Sequence, residues 1–191
     1  MIGVMRKEYA SLRRRPFLTP VWILGVLAVL ALAAAGWAVH GASTTLVVVT
    51  RHAEKAADGS ADPPLAAAGL ARAERLAAIL GAGPKGLGID AIFVTQWQRT
   101  GATARPLATR LGVPVITLKD DDIAGLKARI LGDYRGGRVL MIAHSDTVGP
   151  IVHELARGAD APAVGDVEYG QAYVVAIPRW SRPTVLGVAL P

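Results

Sequence analysis

The sequence predicts an α/β domain in which a mostly parallel central sheet lies between two helical layers, preceded by one transmembrane helix. Short β-branched runs alternate with helical segments along residues 46–191, which is typical of a parallel sheet covered by helices. The last two runs have no helix between them, which indicates an antiparallel pair at one edge of the sheet. An uncharged stretch near the N-terminus predicts the transmembrane helix.

No Asp, Glu, Lys or Arg occurs from Pro16 to Thr50, and within this stretch Val21 to Val39 is almost entirely apolar. A spanning helix needs roughly 20 such residues. A buried core helix of this length would show a polar stripe, and the apolar part of a cleavable signal peptide usually has about 7–15 residues. Both alternatives stay open, since residues 39–41 resemble a weak cleavage site. We expect a basic N-terminus (1–16), an anchor (17–39), a linker (40–45) and a domain (46–191).

The charges around this stretch predict its orientation. Five basic residues precede it, whereas residues 40–50 contain no Lys or Arg. Positive charges favour the cytoplasmic side, so we expect a cytoplasmic N-terminus and an extracytoplasmic domain, either periplasmic or at the cell surface.

The overall charge does not indicate a nucleic-acid partner. The net charge is +6, of which residues 1–42 contribute +4 and the rest of the chain only +2. The absence of cysteine excludes disulfides and thiol catalysis.

The first strand, 46–49, is a short β-branched run flanked by turn-forming residues. Asp62, followed by two prolines, predicts the cap of a helix that runs to Leu80. Pro114 predicts an edge position for the third strand, because proline lacks a donor for the sheet. The other predicted elements are strand 91–94, helix 100–111, strand 113–118, helix 122–131, strand 139–143, helix 146–157 and strands 172–177 and 184–188.

Histidines and arginines follow three of the predicted strands. Arg51 and His52 come after the first, Arg99 lies beyond the second, and His144 and Ser145 follow the fourth. Ligands of open α/β sheets sit beyond the carboxyl ends of the strands. We therefore expect these five residues to face one site.

Their chemistry suits phosphoryl transfer. A neutral imidazole is a competent nucleophile near neutral pH, guanidinium groups bind phosphate bidentately, and the start of the helix after Ser145 adds N–H donors. Taken singly, a histidine at the end of a strand is more often a hydrogen-bonded structural residue than a catalyst. An arginine before it is usually a solvated surface charge. A metal held by the two histidines with Asp146 or Glu54 is a further alternative, disfavoured because the guanidinium groups would repel it.

Four segments carry a family resemblance. Val48 to Lys55 resembles the Arg-His-Gly/Ala-Glu motif of the histidine phosphatase superfamily, also called the phosphoglycerate mutase-like family. Leu65 to Gly69 is similar to its Leu-(Ser/Thr)-x-x-Gly helix start, Thr95 to Ala104 to its Ser-x-x-x-Arg-x-x-x-Thr-Ala segment, and residues 143–145 to its second-histidine motif. The resemblance covers about residues 45–190, in the family's order.

The resemblance implies a phosphoglycerate mutase-like fold with His52 as the phosphorylated nucleophile and with no metal or other cofactor. Arg51 and Arg99 would hold phosphate oxygens, and His144, with Ser145 beside it, would complete the phosphate site. The leaving-group acid would come from Asp120, Asp121 and Asp122 after the third strand, of which we choose Asp120, with Glu54 as the alternative.

Two departures from the family pattern concern the same site. Thr95 stands where the family usually has Ser, and Asp146 where bacterial members often have Asn. We expect Asp146 to cap the following helix.

The sequence thus predicts a membrane-tethered, extracytoplasmic phosphomonoesterase acting on a phosphorylated small molecule or a phosphoprotein. A mutase is less favoured, because the chain has little room for the insertions that would cover a sugar phosphate. The alternative from another class is a catalytically inactive tethered module that binds phosphorylated ligands.

Overall fold

The computed structural model describes residues 21–42, 44–83, 87–158 and 169–190. The basic N-terminal segment 1–16 lies outside these residues. The chain divides into two compact units, residues 1–39 and 40–191. The helices are α1 (Val21–Ala42), α2 (Ala67–Leu80), α3 (Gln98–Leu111), α4 (Ile123–Asp133) and α5 (Ser145–Leu155). The strands are β1 (Thr45–Arg51), β2 (Ala91–Thr95), β3 (Val115–Leu118), β4 (Arg138–Ala143), β5 (Gln171–Ile177) and β6 (Thr184–Ala189).

Helix α1 is apolar on every side. Its 22 residues correspond to about 33 Å at 1.5 Å per residue, enough for the hydrocarbon core of a bilayer. None of the residues from Trp22 to Val39 is buried. The helix continues to Ala42, so it includes three residues that we predicted as linker.

The six strands form one mixed sheet in the order β3-β2-β4-β1-β5-β6. Strands β1 to β4 pair in parallel, and β5 and β6 pair antiparallel at the other side of the sheet. This confirms the predicted mostly parallel sheet with an antiparallel edge. Strand β3, which follows Pro114, is an edge strand as predicted.

The register aligns the strand ends that carry the predicted site. Arg51 of β1 pairs with Ala143 of β4, and Ile142 of β4 pairs with Val94 of β2. Since these strands are parallel, the residues after each of them emerge at one edge of the sheet.

The two faces of the sheet are covered by different helices, which completes the predicted three layers. On one face, α4 and α5 pack through buried residues such as Ile130 and Ile151. On the other face, α2 and α3 pack through Leu76, Leu80 and Leu107.

Helix α2 begins at Ala67, so the prediction that Asp62 caps it was wrong. Two prolines follow Asp62, and a residue that precedes proline is disfavoured in the helical conformation. The chain stays extended instead, and Leu65 forms an antiparallel bridge with Lys55. Asp62 is thereby placed beside α3, where its side chain has a different role.

Candidate active site

The carboxyl ends of β1, β2 and β4 open into a polar cavity of about 570 Å³. All six residues predicted for the site line it, so the structure brings together every one of them. The complete lining is Arg51, His52, Lys55, Trp97, Arg99, Asp120, His144, Ser145, Asp146 and Tyr169.

His52 is almost completely buried, and its contacts define its tautomer. The Nδ1 atom lies 2.7 Å from the carbonyl oxygen of Ala53. A carbonyl oxygen only accepts, so Nδ1 carries the proton and donates it. The Nε2 atom therefore keeps its lone pair, which accepts a hydrogen bond from Nε of Arg99 at 3.2 Å.

The loop that carries His52 is held from two sides. The backbone N–H of Ala53 donates to Oγ1 of Thr103 at 3.0 Å. Helix α2 approaches so closely that a Cβ atom on Gly69 would lie 2.2 Å from the carbonyl oxygen of Glu54. Only glycine fits at this approach, which gives a physical reason for the Gly69 position of the motif. The hydrogen bond to Ala53 gives the reason for the Thr103 position.

His144 makes a complementary set of hydrogen bonds. Its Nδ1 atom accepts from Nη2 of Arg99 at 3.3 Å, so the proton sits on Nε2. Nε2 donates to Oγ1 of Thr95 at 2.9 Å, and that hydroxyl contacts Oγ1 of Thr100 at 3.1 Å. Thr95 thus supplies the same hydroxyl group that a Ser, the usual family residue at this position, would supply. One guanidinium group contacts both imidazoles, whose centroids are 5.2 Å apart.

The surroundings keep both imidazoles neutral. Burial lowers the pKa of His52 to about 4, and the guanidinium charges of Arg99 and Arg51 act in the same direction, as a protonated His144 would, whereas the hydrogen bond to Ala53 opposes them. Burial, followed by the charge of Arg99, also lowers the pKa of His144.

Arg51 is buried beside Tyr169. Its guanidinium carbon lies 4.1 Å from the centre of the tyrosine ring, and Nη2 donates to the tyrosine hydroxyl at 3.5 Å. Tyr169 also faces His52 edge-on at 6.3 Å. Tyr169 lines the cavity, while residues 165–168 lie outside the described residues.

The two candidate acids are both held in their ionised form. Asp120 accepts from Gln96 at 2.8 Å and from Trp97 at 2.7 Å, and these hydrogen bonds lower its pKa. Partial burial would raise the pKa of Glu54, but its hydrogen bond and ion pair with Arg72 outweigh burial, so the pKa is lowered. Asp120 therefore lies where we predicted but is a poor resting proton donor, and Glu54 does not line the cavity.

Helix α5 begins at Ser145 with its N-terminus at the cavity, where backbone N–H groups favour an anion. The prediction that Asp146 caps this helix was wrong. The N-cap residue is His144, whose backbone N–H donates to Oγ1 of Thr147 at 3.0 Å. Asp146 lies in the first turn instead, exposed at the mouth.

Trp97 and Lys55 also line the cavity, although we did not predict them as site residues. Besides its bond to Asp120, the indole ring of Trp97 lies 5.0 Å from the guanidinium carbon of Arg99. Within the described ranges, no group of three or more His, Cys, Asp or Glu side chains is arranged to hold a metal ion.

Three solved structures share this fold, with low sequence identity. The mycobacterial glucosyl-3-phosphoglycerate phosphatase is 15% identical with a TM-score of 0.62, over 78% of this chain and 100% of that one. The protein histidine phosphatase SixA, complexed with tungstate, is 23% identical with a TM-score of 0.62, over 75% of this chain and 96% of that one. Mycobacterial hydrolase 1 is 16% identical with a TM-score of 0.59, over 75% of this chain and 97% of that one. No curated protein sequence matches the chain.

The family comparison agrees with this structural similarity. Residues 41–121 match the model of the histidine phosphatase superfamily (branch 1). The matched segment contains β1 to β3 and the motifs around His52 and Arg99. Over this segment the chain is similar to the histidine phosphatase superfamily.

Proposed function

We propose that this protein is a phosphomonoester hydrolase that forms a phosphohistidine intermediate on His52. The observation that carries the proposal is the tautomer of His52. Its Nδ1 proton is committed to the Ala53 carbonyl, and its Nε2 lone pair lies beside the guanidinium of Arg99. A nucleophile needs an unprotonated lone pair of this kind, and a transferred phosphoryl group needs such a cation beside it.

The reaction has two steps. In the first, Nε2 of His52 attacks phosphorus, the bond from phosphorus to the ester oxygen breaks, and the alcohol leaves with a proton taken from solvent or a donor. In the second, water attacks the phosphohistidine, the N–P bond breaks, and orthophosphate leaves with the water oxygen. Arg51, Arg99 and the start of α5 at Ser145 bind the phosphoryl oxygens in both steps. His144 adds a hydrogen bond to a phosphoryl oxygen when its Nδ1 atom, which accepts from Arg99 in the resting site, takes up a proton.

The ionised state of Asp120 and Glu54 determines the choice of probe. Neither carboxyl group is protonated at rest, so a substrate whose leaving group departs without a proton tests the nucleophile alone. Aryl phosphates such as p-nitrophenyl phosphate have this property.

The experiment combines turnover with trapping. We expect p-nitrophenyl phosphate to be hydrolysed at an unchanged rate in EDTA, because arginines rather than a divalent ion stabilise the phosphoryl charge. Labelled phosphate quenched without acid should be found on His52, stable to base and labile to acid. His52→Ala should lose both label and turnover, while His153→Ala, at an exposed position of α5, should keep both.

Two results would contradict the proposal. Label that persists in His52→Ala would show another nucleophile. Binding of phosphorylated ligands with no turnover of any phosphate ester would favour the inactive binding module instead.

We also propose that α1 tethers the domain to a membrane and that the domain faces away from the cytoplasm. The helix is long enough to span the hydrocarbon core, and its apolar surface is unburied. The proposed substrates are phosphorylated small molecules or phosphoproteins.

A further inference from the structure

Arg99 is the central cation of the site, because its guanidinium group contacts both histidines. Nε faces His52 and Nη2 faces His144. The third nitrogen, Nη1, points to Oδ1 of Asp62 at 3.4 Å. Asp62 belongs to the segment before α2 and does not line the cavity.

We propose that Asp62 is a positioning residue that holds Arg99 in its phosphate-binding orientation. The proposal rests on the hydrolase function proposed above. When phosphate enters, the donors of Arg99 that now face the two imidazoles must turn toward phosphate oxygens. The contact with Asp62 uses Nη1, the nitrogen that contacts neither histidine, so it can persist while phosphate is bound.

Asp62 is itself held rigidly against the start of α3. Its carboxylate accepts from the backbone N–H of Gln98 at 3.1 and 3.2 Å, and its carbonyl oxygen accepts from the Gln98 side-chain amide. Trp97, the N-cap residue of α3, makes no side-chain capping bond. Asp62 therefore caps α3 from a distant segment, and the same carboxylate is directed at Arg99, the second residue of that helix.

Burial separates this contact from an ordinary surface ion pair. The side chain of Arg99 is only 14% exposed, whereas that of Asp62 is 37% exposed. An exposed carboxylate adds little to stability, but a small displacement of a substrate-binding group can cost up to about 100-fold in rate. The effect of losing Asp62 should therefore be large on catalysis and small on folding.

The test is Asp62→Asn in the full-length protein. The amide oxygen still accepts from Gln98, so the cap is kept while the charge that faces Arg99 is lost. We expect kcat for p-nitrophenyl phosphate to fall about 10-fold with a smaller change in KM, and the urea midpoint to stay almost unchanged. Asp62→Glu should recover part of the activity.

Asp58→Asn is the matched control. It removes the same charge from the same segment, where Asp58 is exposed and accepts hydrogen bonds from Ser60. This variant should keep the wild-type activity.

A double variant separates positioning of Arg99 from a general loss of structure. In an Arg99→Ala background, Asp62→Asn should change neither the residual turnover nor the Kd for orthophosphate by more than about 2-fold, because coupled residues are not additive. If Asp62→Asn lowered turnover equally in the wild-type and Arg99→Ala backgrounds, Asp62 would act only by capping helix α3, which would overturn the proposal. A gain in activity in Asp62→Asn would also overturn it, since the carboxylate would then weaken the charge of Arg99.

Binding of orthophosphate keeps this test distinct from that of the hydrolase function. If the wild type binds orthophosphate but hydrolyses nothing, the hydrolase proposal fails, whereas a weaker Kd in Asp62→Asn still supports the positioning of Arg99. An unchanged Kd together with an unchanged kcat would refute it.

Discussion

Acidification should affect this protein through His52 in a window that the structure defines. The ordinary pKa of histidine is about 6.5, and burial lowers that of His52 to about 4. Between these two values the unfolded chain binds a proton that the folded protein excludes. The free energy of unfolding should therefore fall as pH drops from about 6.5 to 4, by roughly 3 kcal/mol for this one group.

The same shift extends the range of activity toward acid. At pH 5.5 an ordinary histidine would be only about one-tenth neutral, whereas His52 should be almost entirely neutral and able to attack. The acidic limb of kcat/KM should accordingly have its midpoint near pH 4. The substrate contributes a second limb, since a phosphate monoester has a second pKa of about 6.

Two measurements isolate the contribution of His52. NMR titration of labelled imidazole groups reports the pKa without substrate, with His52→Asn identifying the signal. Urea unfolding at pH 7 and pH 4 should show that the wild type loses roughly 3 kcal/mol more than His52→Asn. A titration midpoint at or above 6.5, or an equal loss of stability in both proteins, would refute the assigned burial and tautomer of His52.

The remaining predictions concern the arginines and the membrane. Arg51→Ala and Arg99→Ala should each lower kcat on the order of 10²-fold, because a donor to the transition state contributes about 3 kcal/mol; full rescue by lysine at both positions would argue against bidentate phosphate binding. The protein should stay in the membrane pellet after alkaline extraction, and a reporter fused after Pro191 should be active only outside the cytoplasm. A shortened soluble species would show that the N-terminal segment is a cleaved signal, and a cytoplasmic reporter would reverse the orientation.

The sequence by itself determined the layered α/β fold and the set of residues at the site. Short β-branched runs and strand-end motifs are local patterns, and the parallel arrangement of strands brings the ends of such runs to one edge. For this reason His52, Arg99 and His144 could be expected in one cavity although 92 positions separate the first from the last.

Contacts between distant segments were decided only by the tertiary structure. Asp62 before two prolines is typical of the cap of the next helix, yet it caps α3, since the extended chain at 62–65 leads it there. The low pKa of His52 comes from burial more than from the neighbouring arginines, and a strand-end motif does not show how deeply its histidine is buried. The tautomer of His52 likewise depends on how its ring turns toward a carbonyl. A sequence pattern shows which groups are available, but burial and hydrogen bonding between remote segments decide which protonation state and which partner each group has.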